Sequence, residues 1–90
     1  MSQYTIQYAP RADRDLEKLP PNIAHNVVLA IHEMRQAPHL FIKKLKASNP
    51  RHPIYSLRVG EVRVLLSIHD DVLIIHVLEV ERRKHSYRDF

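Results

Sequence analysis

Residues 55–66, Y-S-L-R-V-G-E-V-R-V-L-L, set the tightest limit on the fold. Apolar residues alternate on both sides of Gly60, the one glycine in the chain, and a period of two belongs to a strand with one buried face. Glycine followed by Glu61 suits a two-residue type II′ turn, so Ile54–Val59 and Val62–His69 are expected to form a hairpin. This register pairs Val59 with Val62, Arg58 with Arg63, Leu57 with Val64 and Tyr55 with Leu66. Those six apolar side chains share one face. Asp70-Asp71 then turns the chain into a further strand, Val72–Val80, which adds Leu73, Ile75 and Val77 to that face.

A continuous apolar face must be covered, and the first half of the chain supplies the cover. Gln3–Tyr8 alternates as a strand. Pro10 presets the first turn of a helix, with Asp13, Asp15 and Glu17 near its positive end and Ala12, Leu16 and Leu19 as its apolar stripe. Pro20-Pro21 ends that helix and opens a second, in which Ile23, Val27, Ala30, Ile31 and Met34 recur at helical spacing until Ala37-Pro38. Residues 38–53 contain three prolines and no sustained period, so they read as a loop with one anchoring turn around Leu40, Phe41 and Leu45. The fold class is α+β: a β-α-α-β-β-β order, with an N-terminal helical hairpin packed on one face of an antiparallel-dominated sheet and a short C-terminal tail. Ninety residues are expected to form one domain, 1–90. The chain has no cysteine, hence no disulfide framework, and its start has no basic segment leading into an apolar one. No apolar run approaches the roughly 20 residues of a membrane span. A soluble, cytoplasmic protein with no membrane contact is the expectation.

The sheet's second face carries Ser56, Arg58, Arg63, Leu65, Ser67, His69, His76 and Leu78. Like charges directly opposite each other destabilise a strand pair, so Arg58 and Arg63 call for a reason. Glu61 lies in the turn, and strict alternation puts Glu79 on the apolar side, so no acid is expected to face them. The overall charge of +4 is also unevenly placed. In residues 1–42, Arg11, Arg14, Lys18 and Arg35 balance Asp13, Asp15, Glu17 and Glu33. From Lys43 to Arg63, Lys43, Lys44, Lys46, Arg51, Arg58 and Arg63 stand against Glu61 alone. The last strand should end near Arg63, bringing the 82–87 segment to the same place. Solvated arginines lying over apolar neighbours are the plain alternative. The convergence favours an anion site of phosphate shape. His25, His32 and His39, seven residues apart, read as polar positions beside a helix, not as metal ligands.

Three segments carry a family resemblance: K-K-L-K at 43–46, Y-S-L-R-V-G-E-V-R-V-L-L at 55–66 and E-R-R-K-H-S-Y-R at 81–88. Together with the helix order they resemble the RelE/ParE superfamily of toxin–antitoxin toxins, nearest to the RelE branch. The resemblance implies a ribosome-dependent mRNA endoribonuclease in which a 2′-hydroxyl attacks the adjacent phosphate, without metal or other cofactor. It implies that Arg63 contacts the scissile phosphate, that Arg83 supports transition-state charge, and that Tyr87 stacks on or activates the substrate. Arg58 stands where the family carries a second strand cation. Ser56 occupies the position of a family lysine, and Glu81-Arg82 replaces a frequent Gly-His pair. His85, whose ordinary pKa is about 6.5, or Tyr87 is then left to take the hydroxyl proton. Lys43, Lys44, Lys46, Arg51, Arg82 and Lys84 are the expected RNA contacts. The partners implied are a cognate antitoxin, the ribosome with mRNA, and a higher-order toxin–antitoxin complex. The alternatives are a ParE-like DNA gyrase inhibitor without nuclease activity, or a catalytically weakened paralogue that binds RNA or antitoxin.

Overall fold

The computed structural model describes residues 3–45, 51 and 53–82. Strand β1 (Thr5–Tyr8) leads into helices α1 (Pro10–Glu17) and α2 (Pro21–Glu33). Two short 3-10 turns, Met34–Gln36 and Pro38–Leu40, connect to β2 (Lys43–Lys44), followed by β3 (Tyr55–Val59), β4 (Val62–His69) and β5 (Ile74–Arg82). Prolines open both helices, where a missing N–H leaves no hydrogen bond unmade. The five strands form one sheet in the order β1-β5-β4-β3-β2. Every pairing is antiparallel except β1 with β5. Among the described residues no helix is long and apolar enough to cross a membrane.

The hairpin has the expected register, including Arg58 opposite Arg63 and Val59 opposite Val62. Gly60 has φ +59, the positive value that a type II′ turn requires at its first position. The helices cover the apolar face. Ala12, Val27, Ile31 and Met34 meet Leu57, Val62, Val64, Leu66, Ile75, Val77 and Val80 in a single core.

Three expectations need correction. The 38–53 segment is not simply a loop: Lys43 and Lys44 pair with Ser56 and Tyr55 as the sheet's outermost strand. Two paired residues are too few to leave a period in sequence. Leu40 and Phe41 do not anchor that segment either, for they are 81% and 55% exposed. The turn between β4 and β5 spans four residues, Asp70–Leu73, because Leu73 enters the left-handed region at φ 57. Its carbonyl then accepts from Thr5 N–H at 2.7 Å, tying the turn to β1.

The third correction concerns β5. A bulge opposite Leu65/Leu66 takes up one extra residue, so Leu66 pairs with Val77 but Leu65 pairs with Glu79. Alternation therefore changes phase at Leu78. Val80 turns into the core, while Glu79 and Glu81 move to the face carrying Arg63.

Beyond the end of β1, the edge of β5 is closed by a side chain. The Val80 N–H donates to Asp15 Oδ2 at 3.0 Å in a partly buried setting. An Asp15→Ala variant would leave that donor without its charged acceptor, a loss of roughly 1–3 kcal/mol. Chemical denaturation of the two proteins checks this, with hydrogen exchange at Val80 as the local readout.

Candidate active site

The β3–β4 hairpin fixes the two arginines on the solvent face, with the core residues beneath holding the backbone. Lys43, Ser56, Arg58, Arg63 and Phe41 line one hollow of about 300 Å³. Lys43 reaches it because β2 pairs Lys43 directly with Ser56. The strand position that lacks a lysine thus has a lysine as its cross-strand neighbour. Three cations and a hydroxyl surround the hollow, and Phe41 forms part of its wall. A phosphate diester suits such a lining, since guanidinium groups offer paired donors and lysine a compact charge.

An acid does face Arg63. The phase change on β5 sets Glu81 opposite it, and Arg63 donates from Nη2 to Glu81 Oε1 at 3.2 Å. Both side chains are nearly half exposed, so the pair is worth about 0–1 kcal/mol and exchanges readily. The signal was present in L-E-V-E-R at 78–82: reading outward from Val80 puts both glutamates on the polar face.

The other expected RNA contacts separate. Arg82 pairs with Val62, on the helix side of the sheet, and lines a different hollow of about 330 Å³ with Ile23, Asn26 and Val59. It does not join Arg63, because the bulge that turns Glu81 outward turns Arg82 inward. Its Nε is buried and has no hydrogen-bond partner among the described residues. Lys44 pairs with Tyr55 and by alternation belongs to the opposite side from Lys43. Arg51 lies in a turn and is exposed. Lys46, Arg83, Lys84, His85 and Tyr87 lie outside the described residues. Sequence reasoning missed Phe41 and Glu81 as neighbours of the site.

A second polar cluster ties the 3-10 turn at Pro38–Leu40 to the β4–β5 turn. Tyr4 Oη donates to Asp70 Oδ1 at 2.6 Å, and His39 Nε2 donates to the same oxygen at 2.9 Å. The His39 ring stands edge-on to Tyr55 with centroids 5.7 Å apart. The Tyr4 hydrogen bond, then that of His39, holds the Asp70 carboxyl below its ordinary value of 3.8. The same Asp70 bond raises the Tyr4 hydroxyl above 10.0. Asp70 titrates lower in the folded state, so its contribution is present above the unfolded value and disappears as pH falls through the folded one. Tyr4 behaves in the opposite sense, contributing below its unfolded value and losing this as pH rises through the folded one. The stability gap between wild type and Asp70→Asn should therefore be widest between about pH 5 and 9 and close below about pH 4. Thermal midpoints across that range test it; a gap unchanged down to about pH 2 would rule out the linkage.

Sequence and structure comparisons agree with this architecture. Residues 6–87 match the family model described as the ParE toxin of type II toxin–antitoxin system, parDE. Toxin RelG of Mycobacterium tuberculosis is 34% identical over 86 residues, covering 94% of this chain and 97% of that protein. Toxin RelE of the same organism is 31% identical over 86 residues, covering 94% and 87%. Among solved structures, the RelBE2 toxin–antitoxin complex from M. tuberculosis contains a chain that superposes with a TM-score of 0.79 at 32% identity, over 91% of this chain and all of that one. The match over nearly the whole length, on the same helix-covered sheet, places this chain in the ParE toxin family of type II toxin–antitoxin systems, within the RelE/ParE superfamily.

Proposed function

We propose that the chain acts as a ribosome-dependent mRNA endoribonuclease, held in check by a cognate antitoxin. The observation that carries this reading is the meeting of Lys43, Arg58 and Arg63 around one open hollow on the solvent face. Three cations grouped on a rigid sheet cost stability, and a phosphate diester is the ligand that offsets the cost.

In the proposed reaction the 2′-hydroxyl loses its proton and its oxygen bonds to the adjacent phosphorus. The bond from phosphorus to the 5′-oxygen breaks, and that oxygen takes a proton. The products are a cyclic phosphate and a free 5′-hydroxyl. An internal nucleophile needs positioning and charge stabilisation more than an added group. Arg63 binds the scissile phosphate after releasing Glu81, and Arg58 shares the developing charge. Lys43 supplies the cation that position 56 lacks. Arg83 is proposed as a further source of positive charge, and His85 or Tyr87 as the base. Lys44, Lys46, Arg51, Arg82 and Lys84 remain candidates for outlying backbone contacts, with Arg82 the least suited because of its inward position. The whole chain, 1–90, is proposed to act as one toxin domain in the cytoplasm. The solved RelBE2 toxin–antitoxin complex supports an antitoxin as partner, and a higher-order toxin–antitoxin assembly is proposed with it.

A ParE-like gyrase inhibitor is the second reading, favoured by the family model that matches residues 6–87. Toeprinting of translating ribosomes separates the two. The nuclease gives breaks in the A-site codon. Intact mRNA together with falling gyrase supercoiling would establish the second reading instead.

A further inference from the structure

Phe41 is one of only two phenylalanines in the chain, yet 55% of its surface is exposed. In a domain this small, where the core is thin, leaving a large aromatic half in water gives up stabilising burial. Its placement is also fixed. The Phe41 N–H donates to the Pro38 carbonyl at 3.0 Å, closing a 3-10 turn on one side, and two residues later Lys43 is paired to β3. The ring is therefore presented by backbone that is held on both flanks.

What it is presented to is the basic hollow. Phe41 lines the same space as Lys43, Ser56, Arg58 and Arg63. A site for phosphate alone gains nothing from an aromatic wall, which offers no hydrogen bond and excludes water from the ion. A nucleotide is different, because it carries an anion and a flat π-face joined by a sugar. Cations beside an aromatic platform are how single-stranded nucleic acid is held without reading its sequence. The neighbouring Leu40 is more exposed still, at 81%, but does not line the hollow, so exposure alone does not define the site.

We infer that Phe41 is the stacking platform for an unpaired RNA base whose neighbouring phosphate lies against Arg58 and Arg63. This rests on the reading of the hollow as a phosphate site, and it adds the part of the ligand that gives the binding its preference for single strands. Any base can stack, so the subsite selects for an unpaired nucleotide and not for a particular one.

The test uses the purified full chain and two uncleavable probes. One is a ribotrinucleotide with every 2′-oxygen methylated; the other is a ribose-phosphate trimer of the same charge carrying no bases. Wild type should bind the first roughly tenfold more tightly. Phe41→Leu should remove that difference while leaving affinity for the baseless trimer unchanged, and Phe41→Tyr should restore it. Arg63→Ala should weaken both probes by a similar factor. The chain has no tryptophan, so Phe41→Trp also installs a single indole whose fluorescence the trinucleotide, but not the baseless trimer, should quench. Equal wild-type affinity for the two probes, or equal weakening of both by Phe41→Leu, overturns the stacking inference while leaving the phosphate site standing. Trinucleotide binding untouched by Phe41→Leu overturns it as well, and returns the exposed ring to a protein partner. Failure of wild type to bind either probe overturns the phosphate site, and the stacking inference with it.

Discussion

If the chain is the proposed endoribonuclease, an Arg63→Ala variant is expected to cleave mRNA on the ribosome roughly 10²–10³-fold more slowly than wild type, the loss that accompanies removal of one preorganised donor from a developing negative charge. Its fold should be unaffected. Arg63 lies on the solvent face with its side chain 47% exposed, and the bond it loses is a surface pair with Glu81. The loss of that pair is offset in part by relief of repulsion, because Arg58 stands directly opposite in the register. The thermal midpoint should therefore stay within a few degrees of wild type. Arg63→Lys should fall between, since it keeps the charge but loses the planar fork that engages two phosphate oxygens. Toeprint intensity against time, in parallel with a melting curve, measures both quantities. Cleavage at the wild-type rate by Arg63→Ala would sink the proposed role of the hollow.

How far this site was legible follows from the range of each signal. The hairpin announced itself, because alternation over twelve residues around a single glycine leaves few choices of turn and register. The helices were legible for a similar reason, their apolar spacing and opening prolines agreeing with one another. The sequence marks Lys43 as an RNA contact but not as the neighbour of Ser56, because β2 has two residues and its pairing is set by the path of the chain before it. The bulge in β5 has the largest consequence for the site. One inserted residue reversed the facing of every position after Leu78, bringing Glu81 to Arg63 and taking Arg82 away. Phe41 escaped because an aromatic after an irregular segment looks like an anchor until the space around it is seen.

Leu66→Ala is expected to have the opposite profile from Arg63→Ala, and the contrast tests how the site is held. Leu66 is fully buried, paired with Tyr55 on one side and Val77 on the other, directly beside the bulge. Truncation there removes the apolar group and leaves a cavity, a loss of about 2–5 kcal/mol. For a domain of this length the whole stability is on the order of 5–13 kcal/mol, so the variant should melt some 10–30 °C earlier. Partial collapse is difficult at this position, because the bulge already fixes the local path of β5 against β4. Below its lowered melting transition, however, the variant should cleave at close to the wild-type rate per folded molecule. Leu66 does not line the hollow, and the register that carries Arg58 and Arg63 is set by the turn at Gly60 as well as by the core. Urea denaturation gives the stability, and toeprinting at about 10–15 °C gives the rate where the fold is secure. A loss below about 1 kcal/mol would mean that the apolar face is not packed as described. A rate reduced while the protein remains folded would mean that core packing, and not the hairpin register alone, sets the distance between the two arginines.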